Sequence, residues 1–64
     1  MGMSLTVVKD FGLRHQDNLS KDKEQFQEIV DTMSKNGLLV KLQKRIVPGE
    51  RYVHWSIVKE EYSI

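Results

Sequence analysis

Two histidines, His15 and His54, are the side chains of this sequence whose ordinary protonation range suits proton transfer near neutrality. No cysteine accompanies them, so thiol chemistry, disulfides and the usual structural zinc sites are excluded. Asp17 lies two residues from His15, a spacing that any polar loop produces. Glu24 and Glu28 stand four residues apart on one helical face, an arrangement that can hold a metal or a paired acid and base. With Asp31 they read more simply as an exposed acidic stripe. Gly12, Gly37 and Gly49 are isolated, so no phosphate-cradling glycine loop exists. This inventory points away from an enzyme: no catalytic residue, metal or cofactor is expected.

The other chemistry the residues offer is charge recognition. The net charge is only +1, but it is unevenly spread. Residues 1–36 carry five Lys and Arg against six acids, whereas residues 38–59 carry five against Glu50 alone. The stretch KLQKRIVPGERYVHW, from Lys41 to Trp55, therefore concentrates the positive charge around one Pro-Gly. Lys41, Arg45 and Arg51 offer cations for phosphates, Gln43 an amide for a base edge, and Tyr52 and His54 rings for stacking. A solvated outer face, rich in Lys and Arg to discourage edge pairing, has the same composition.

These residues need a scaffold. Ser4–Lys9, rich in β-branched side chains, reads as a strand. Residues 10–19 lack a sustained period and read as a loop, with Phe11 and Leu13 folded back on the core. Residues 20–36 read as a helix, since Phe26, Ile29, Val30 and Met33 follow the spacing of one helical face. Ser20 is the expected N-cap, with Asp22 and Gln25 as an alternative capping box, and Asn36-Gly37 supplies the stop.

Residues 38–59 read as a hairpin about Val47–Glu50. Pro48-Gly49 suits the centre of a type II turn, although a looser four-residue loop keeps the same parity. Pairing Val47 with Glu50 sets Val40, Leu42, Lys44 and Ile46 opposite Ile57, Trp55, Val53 and Arg51 on a core face. Lys41, Gln43 and Arg45 then meet Ser56, His54 and Tyr52 on a polar, basic face. A slip of one residue would break up the apolar face. The expected core is Phe26, Ile29, Val30, Met33, Val40, Leu42, Trp55 and Ile57, with Val7 beneath the helix. Lys44 and Arg51 fall on the core side near the turn, where their stems can cover Val53 and Ile46. Tyr52 and Tyr62 are the expected contact aromatics, and residues 60–64 a short tail.

The expected fold is α+β in the order β-α-β-β. A three-stranded mixed sheet in order 1-3-2 carries one helix on one face, as a single domain over residues 1–64. The succession of helix, GLL, strand, basic turn and strand over residues 22–58 resembles the second half of a winged-helix DNA-binding domain. The resemblance is architectural and implies a wing-like hairpin lying along phosphates. Glu24, Glu28 and Asp31 stand where a groove-reading helix would carry basic and amide residues, which leaves the hairpin as the contact. The function expected is a small regulatory protein that binds nucleic acid through this hairpin. The alternative is a protein-binding inhibitor or adaptor that uses the acidic helix face or a sheet edge.

Sixty-four residues bury a small core, so a second copy is a further expected partner. No apolar run reaches the roughly 18 residues of a membrane span. The N-terminus lacks the order of a signal peptide, so a cytoplasmic protein is expected.

Overall fold

The computed structural model describes residues 2–63, apart from the side chains of Tyr62 and Ser63. The element order is β1 (Gly2–His15), a single 3-10 turn (Gln16–Asn18), α1 (Leu19–Lys35), β2 (Val40–Ile46) and β3 (Tyr52–Ser63). The three strands form one sheet in the order β1-β3-β2, and β3 runs antiparallel to both neighbours. β1 and β2 therefore point the same way without touching, joined by the helical crossover. The expected α+β fold and strand order are observed, and the sheet is antiparallel rather than mixed, because β3 lies between the two strands that run the same way.

The first strand is much longer than Ser4–Lys9. Residues 10–15, expected as loop, continue the strand to His15 opposite Tyr52. Two register shifts, between Val7 and Lys9 and between Asp10 and Gly12, insert Val8 and Phe11 as extra residues. Each insertion reverses the alternation of faces, and so erases the period of two by which a strand is recognised. The gain from the second shift is local: Phe11 stacks on Phe26 of α1, with ring centroids 4.0 Å apart. Asp10 Oδ1 accepts the Gly12 N–H at 2.7 Å across the irregularity.

α1 begins one residue before the expected start. Asn18 occupies the N-cap position without a side-chain cap, so Ser20 and the Asp22–Gln25 box do not cap it. Asp22 is instead buried and accepts from Arg14 of β1, Nε to Oδ2 at 3.2 Å and Nη2 to Oδ1 at 3.1 Å. The C-terminus ends as expected. Leu38 N–H donates to Met33 C=O at 3.1 Å and Gly37 N–H to Ser34 C=O at 3.0 Å, with Gly37 at φ +86°. This is the Schellman pattern, in which glycine at the left-handed position ties up the last carbonyls.

The hairpin keeps the expected parity and shifts by two residues. Val40, Leu42, Lys44 and Ile46 pair with Lys59, Ile57, Trp55 and Val53. On the other face Lys41, Gln43 and Arg45 pair with Val58, Ser56 and His54. The type II geometry at Pro48-Gly49 is present: Gly49 has φ +76°, and Glu50 N–H donates to Val47 C=O. Arg51 nevertheless adds to the loop, because Val47 N–H donates to Tyr52 C=O and closes four residues between them. The looser loop therefore contains the tight turn.

The core gathers where the first half of α1 crosses the sheet. Phe26, Val53 and Trp55 are buried together, with Phe11, Leu19, Ile29 and Leu42 packed around them. The Phe26 and Trp55 rings meet edge to face at 5.6 Å. Val30, Ile57 and Val58 are also buried, while Met33 and Val40 are only partly covered. Two expectations fail here. The helix reaches Val53, so the Lys44 and Arg51 stems are not needed to cover it. Val7 does not lie beneath the helix: it is 56% exposed, and its register partner Val58 belongs to the face away from α1. The Trp55 indole N–H is buried without a hydrogen-bond partner, an unmet donor that the ring's packing must offset.

Residues 60–63 are not a tail. They extend β3 alongside Gly2–Leu5, beyond the last β2 pair at Lys59. At that end the sheet narrows to a two-stranded ribbon.

Candidate nucleic-acid interface

Antiparallel partners share a face, so the register assembles the sheet's open face residue by residue. β2 contributes Lys41, Gln43 and Arg45, β3 contributes Tyr52, His54, Ser56, Val58 and Glu60, and β1 contributes Asp10, Leu13 and His15 in its second half. Side-chain contacts agree with that assignment. Ser56 Oγ donates to Gln43 Oε1 at 3.3 Å, His54 Nε2 lies 2.7 Å from Asp10 Oδ1, and Lys41 Nζ pairs with Glu60 Oε1. His15 and Tyr52 meet edge to face at 5.7 Å.

The expected residues Lys41, Gln43, Arg45, Tyr52 and His54 are thus brought onto one face, although with different neighbours. Arg51, expected on the core side opposite Ile46, lies in the loop instead. Glu60 and Asp10 are the members that sequence reading missed, and both change the electrostatics. Lys41 spends its charge on Glu60. His54 engages Asp10, and this hydrogen bond, helped by the Gly12 N–H, holds the Asp10 carboxyl below its ordinary range. Glu60 was within reach of sequence reasoning, because extending β3 by its period of two puts residue 60 on the face of Lys41. Asp10 was not, because its partner lies 44 residues away across a bulged ladder.

Three of the cations that form no ion pair among the described residues stand together at the hairpin tip, the others being Lys9 on β1 and Lys21, Lys23 and Lys35 along α1. Among the described residues Lys44, Arg45 and Arg51 form no ion pair, and all three are exposed around Pro48 and Gly49. Tyr52 is exposed beside them, and Glu50 is the one acid in the turn. Arg45 and Tyr52 present a cation and a ring on the open face, whereas Lys44 faces the helix side. The Tyr62 side chain lies outside the described residues.

The Asp17 carboxylate lies near the His15 ring, Oδ2 to Nδ1 at 3.3 Å. His15 Nδ1 accepts the Asp17 N–H at 3.2 Å, so the ring caps the 3-10 turn and its lone pair is occupied. Glu24, Glu28 and Asp31 are exposed along α1, with Asp31 Oδ1 accepting from Gln27 Nε2 at 3.0 Å. Among the described residues no three His, Asp or Glu side chains converge as metal ligands. No described helix is long and apolar enough to cross a membrane. A shallow cavity of about 480 Å³ opens between the end of α1 and the start of β2, lined by Ser34, Gly37, Leu38, Leu39, Val40, Lys41 and Glu60. The chain matches no family model, no curated protein and no solved structure.

Proposed function

We propose that the chain is a small, cytoplasmic, non-enzymatic regulatory protein that binds nucleic acid through the tip of its β2–β3 hairpin. The observation that carries this reading is the cluster of uncommitted cations Lys44, Arg45 and Arg51 about the Pro48-Gly49 turn, beside exposed Tyr52. Cations without internal partners are free to neutralise phosphates, and an adjoining tyrosine supplies a stacking surface. Gln43 and His54, already hydrogen-bonded within the sheet, support the strand rather than read bases. Lys41 contributes little, because Glu60 cancels its charge.

A titration of a labelled duplex across a salt series tests the reading. Replacing Arg45 and Arg51 with glutamine should weaken binding across sequences and lower the salt slope by up to about two charges. Lys41→Gln should change the slope much less, and neutralising Glu24 and Glu28 should leave binding intact or improve it. Parent-like binding by the Arg45 and Arg51 double variant rejects the tip as the contact. The rival reading, a protein-binding module, rests on the exposed Glu24, Glu28 and Asp31 stripe of α1. It gains ground if the parent binds no nucleic acid.

A further inference from the structure

The sheet has two edges, and they are built differently. The β2 edge carries Lys41, Lys44 and Arg45 within seven residues, so pairing with its own copy would bring like charges together. The β1 edge has no such guard over Met3–Val8, where Met, Ser, Leu, Thr and two Val residues follow without a charge. Its backbone there is regular up to Val7, and the two register shifts that would deter a neighbour come only afterwards. Met3, Leu5, Val7 and Val8 are between 44% and 56% exposed.

We propose that Met3–Val7 of β1 is a homodimer interface, pairing antiparallel with the same segment of a second copy about a two-fold axis at Leu5. The segment is self-complementary in that register. Leu5 meets Leu5 of the second copy, Met3 meets Val7, and Ser4 meets Thr6. Met3, Leu5 and Val7 lie on one face by their pairing with Tyr62, Glu60 and Val58. Both copies therefore merge their exposed apolar side chains into one patch, with the polar Ser4 and Thr6 on the other face. Lys9 falls beyond the paired stretch, so no charge is desolvated. The product is a six-stranded sheet in the order β2-β3-β1-β1-β3-β2 with both helices on the same side.

The occupant is a second copy for a geometric reason. A two-fold antiparallel pairing closes on itself, whereas joining β1 to the β2 edge of another molecule would propagate and set an uncharged strand against a basic one. The paired segment is short, about 17 Å for five residues at about 3.4 Å each. A standard interface takes about 800 Å² from each partner and the smallest stable ones about 600 Å², a sizeable part of the 5019 Å² the chain exposes. The dimer is accordingly of the concentration-dependent kind.

Sedimentation of the parent, of Leu5→Glu, of Leu5→Lys and of an equimolar mixture of the two variants tests the proposal. The parent should dimerise at high micromolar concentration. Each variant alone should be monomeric, because like charges face each other across the axis. The mixture should recover a dimer through the Glu–Lys pair. Amide exchange in the unsubstituted parent gives a second reading: protection of residues 3–7 should rise with concentration while that of residues 41–45 does not. A monomeric parent, a variant that dimerises as the parent does, a mixture that stays monomeric, or protection that rises at β2 instead overturns the proposal.

Discussion

Arg14 sits in the second half of β1, eight residues before Asp22, and its guanidinium grips the Asp22 carboxylate with two nitrogens while lying 5.9 Å from the Phe26 ring centre. The two partners are unequal: the Asp22 side chain is 1% exposed and the Arg14 side chain 45%. Removing the arginine therefore strands a buried carboxylate, while removing the aspartate frees a cation that water can reach. Arg14→Ala should lower stability clearly, though by less than breaking a fully buried pair would, because Arg14 is partly solvated. Arg14→Lys should recover only part of the loss, since an ammonium cannot reproduce the two-pronged contact. Urea unfolding of the two variants checks the order. The Asp10–His54 contact gives a pH signature. The Asp10 carboxyl is held below its ordinary value, first by the His54 hydrogen bond and then by the Gly12 N–H. A depressed carboxyl stabilises the fold above its unfolded value near 3.9 and loses that contribution as pH falls through the lowered one. Asp10→Asn should therefore flatten the acid limb of stability below about pH 4 in denaturation measured across pH. Neither pair was legible in the sequence. Asp22 has the position and charge of a dipole-compensating residue in a first turn, and only the extended course of β1 brings Arg14 to it.

At the scale of elements, what could be read depended on whether a local rule acted alone. The helix was legible because its apolar spacing and its Asn36-Gly37 stop act within a few residues. That stop makes a definite prediction. Gly37 has φ +86°, and a Cβ added there would meet no atom within 4 Å, so the cost of Gly37→Ala is conformational only. It should be about 1 kcal/mol, read from the thermal midpoint, with no change in fold. The hairpin's faces were legible because a one-residue slip exchanges every side chain. Its two-residue offset was not, because a shift by two preserves the apolar pattern and is decided only by whether Glu50 and Arg51 join the loop. β1 was the least legible element. Val8 and Phe11 each add a residue on one side of the ladder, so Val7, Lys9, Asp10 and Gly12 do not alternate as a continuous strand would. The candidate site inherits this limit: the basic members on β2 and β3 could be found from the hairpin, while the carboxylate on β1 could not.

For the whole molecule, the layout divides the chain into a thick end and a thin one. At the thick end β3 is flanked by both neighbours, and α1 packs Phe26 onto Val53 and Trp55. At the thin end Gly2–Leu5 and Glu60–Ser63 form backbone pairs only with each other, past the last β2 pair at Lys59. A two-stranded ribbon without a packed face is marginal in water, so it should open without disturbing the rest. Amide exchange of a dilute sample, where self-pairing of β1 is disfavoured, should therefore rank the chain. Val53 to Ile57 should exchange slowest, at rates set by global unfolding, and the ribbon amides fastest among the strand residues. Adding denaturant should accelerate the slow set steeply and the ribbon hardly at all, because ribbon opening exposes little apolar surface. Equal protection along all of β3 would instead mean that the ribbon and the helix-packed sheet unfold as one unit. The contrast follows from where α1 lands: its aromatic face is spent on the half of the sheet that also carries the basic hairpin, so the proposed binding tip stands on the most stable part of the fold.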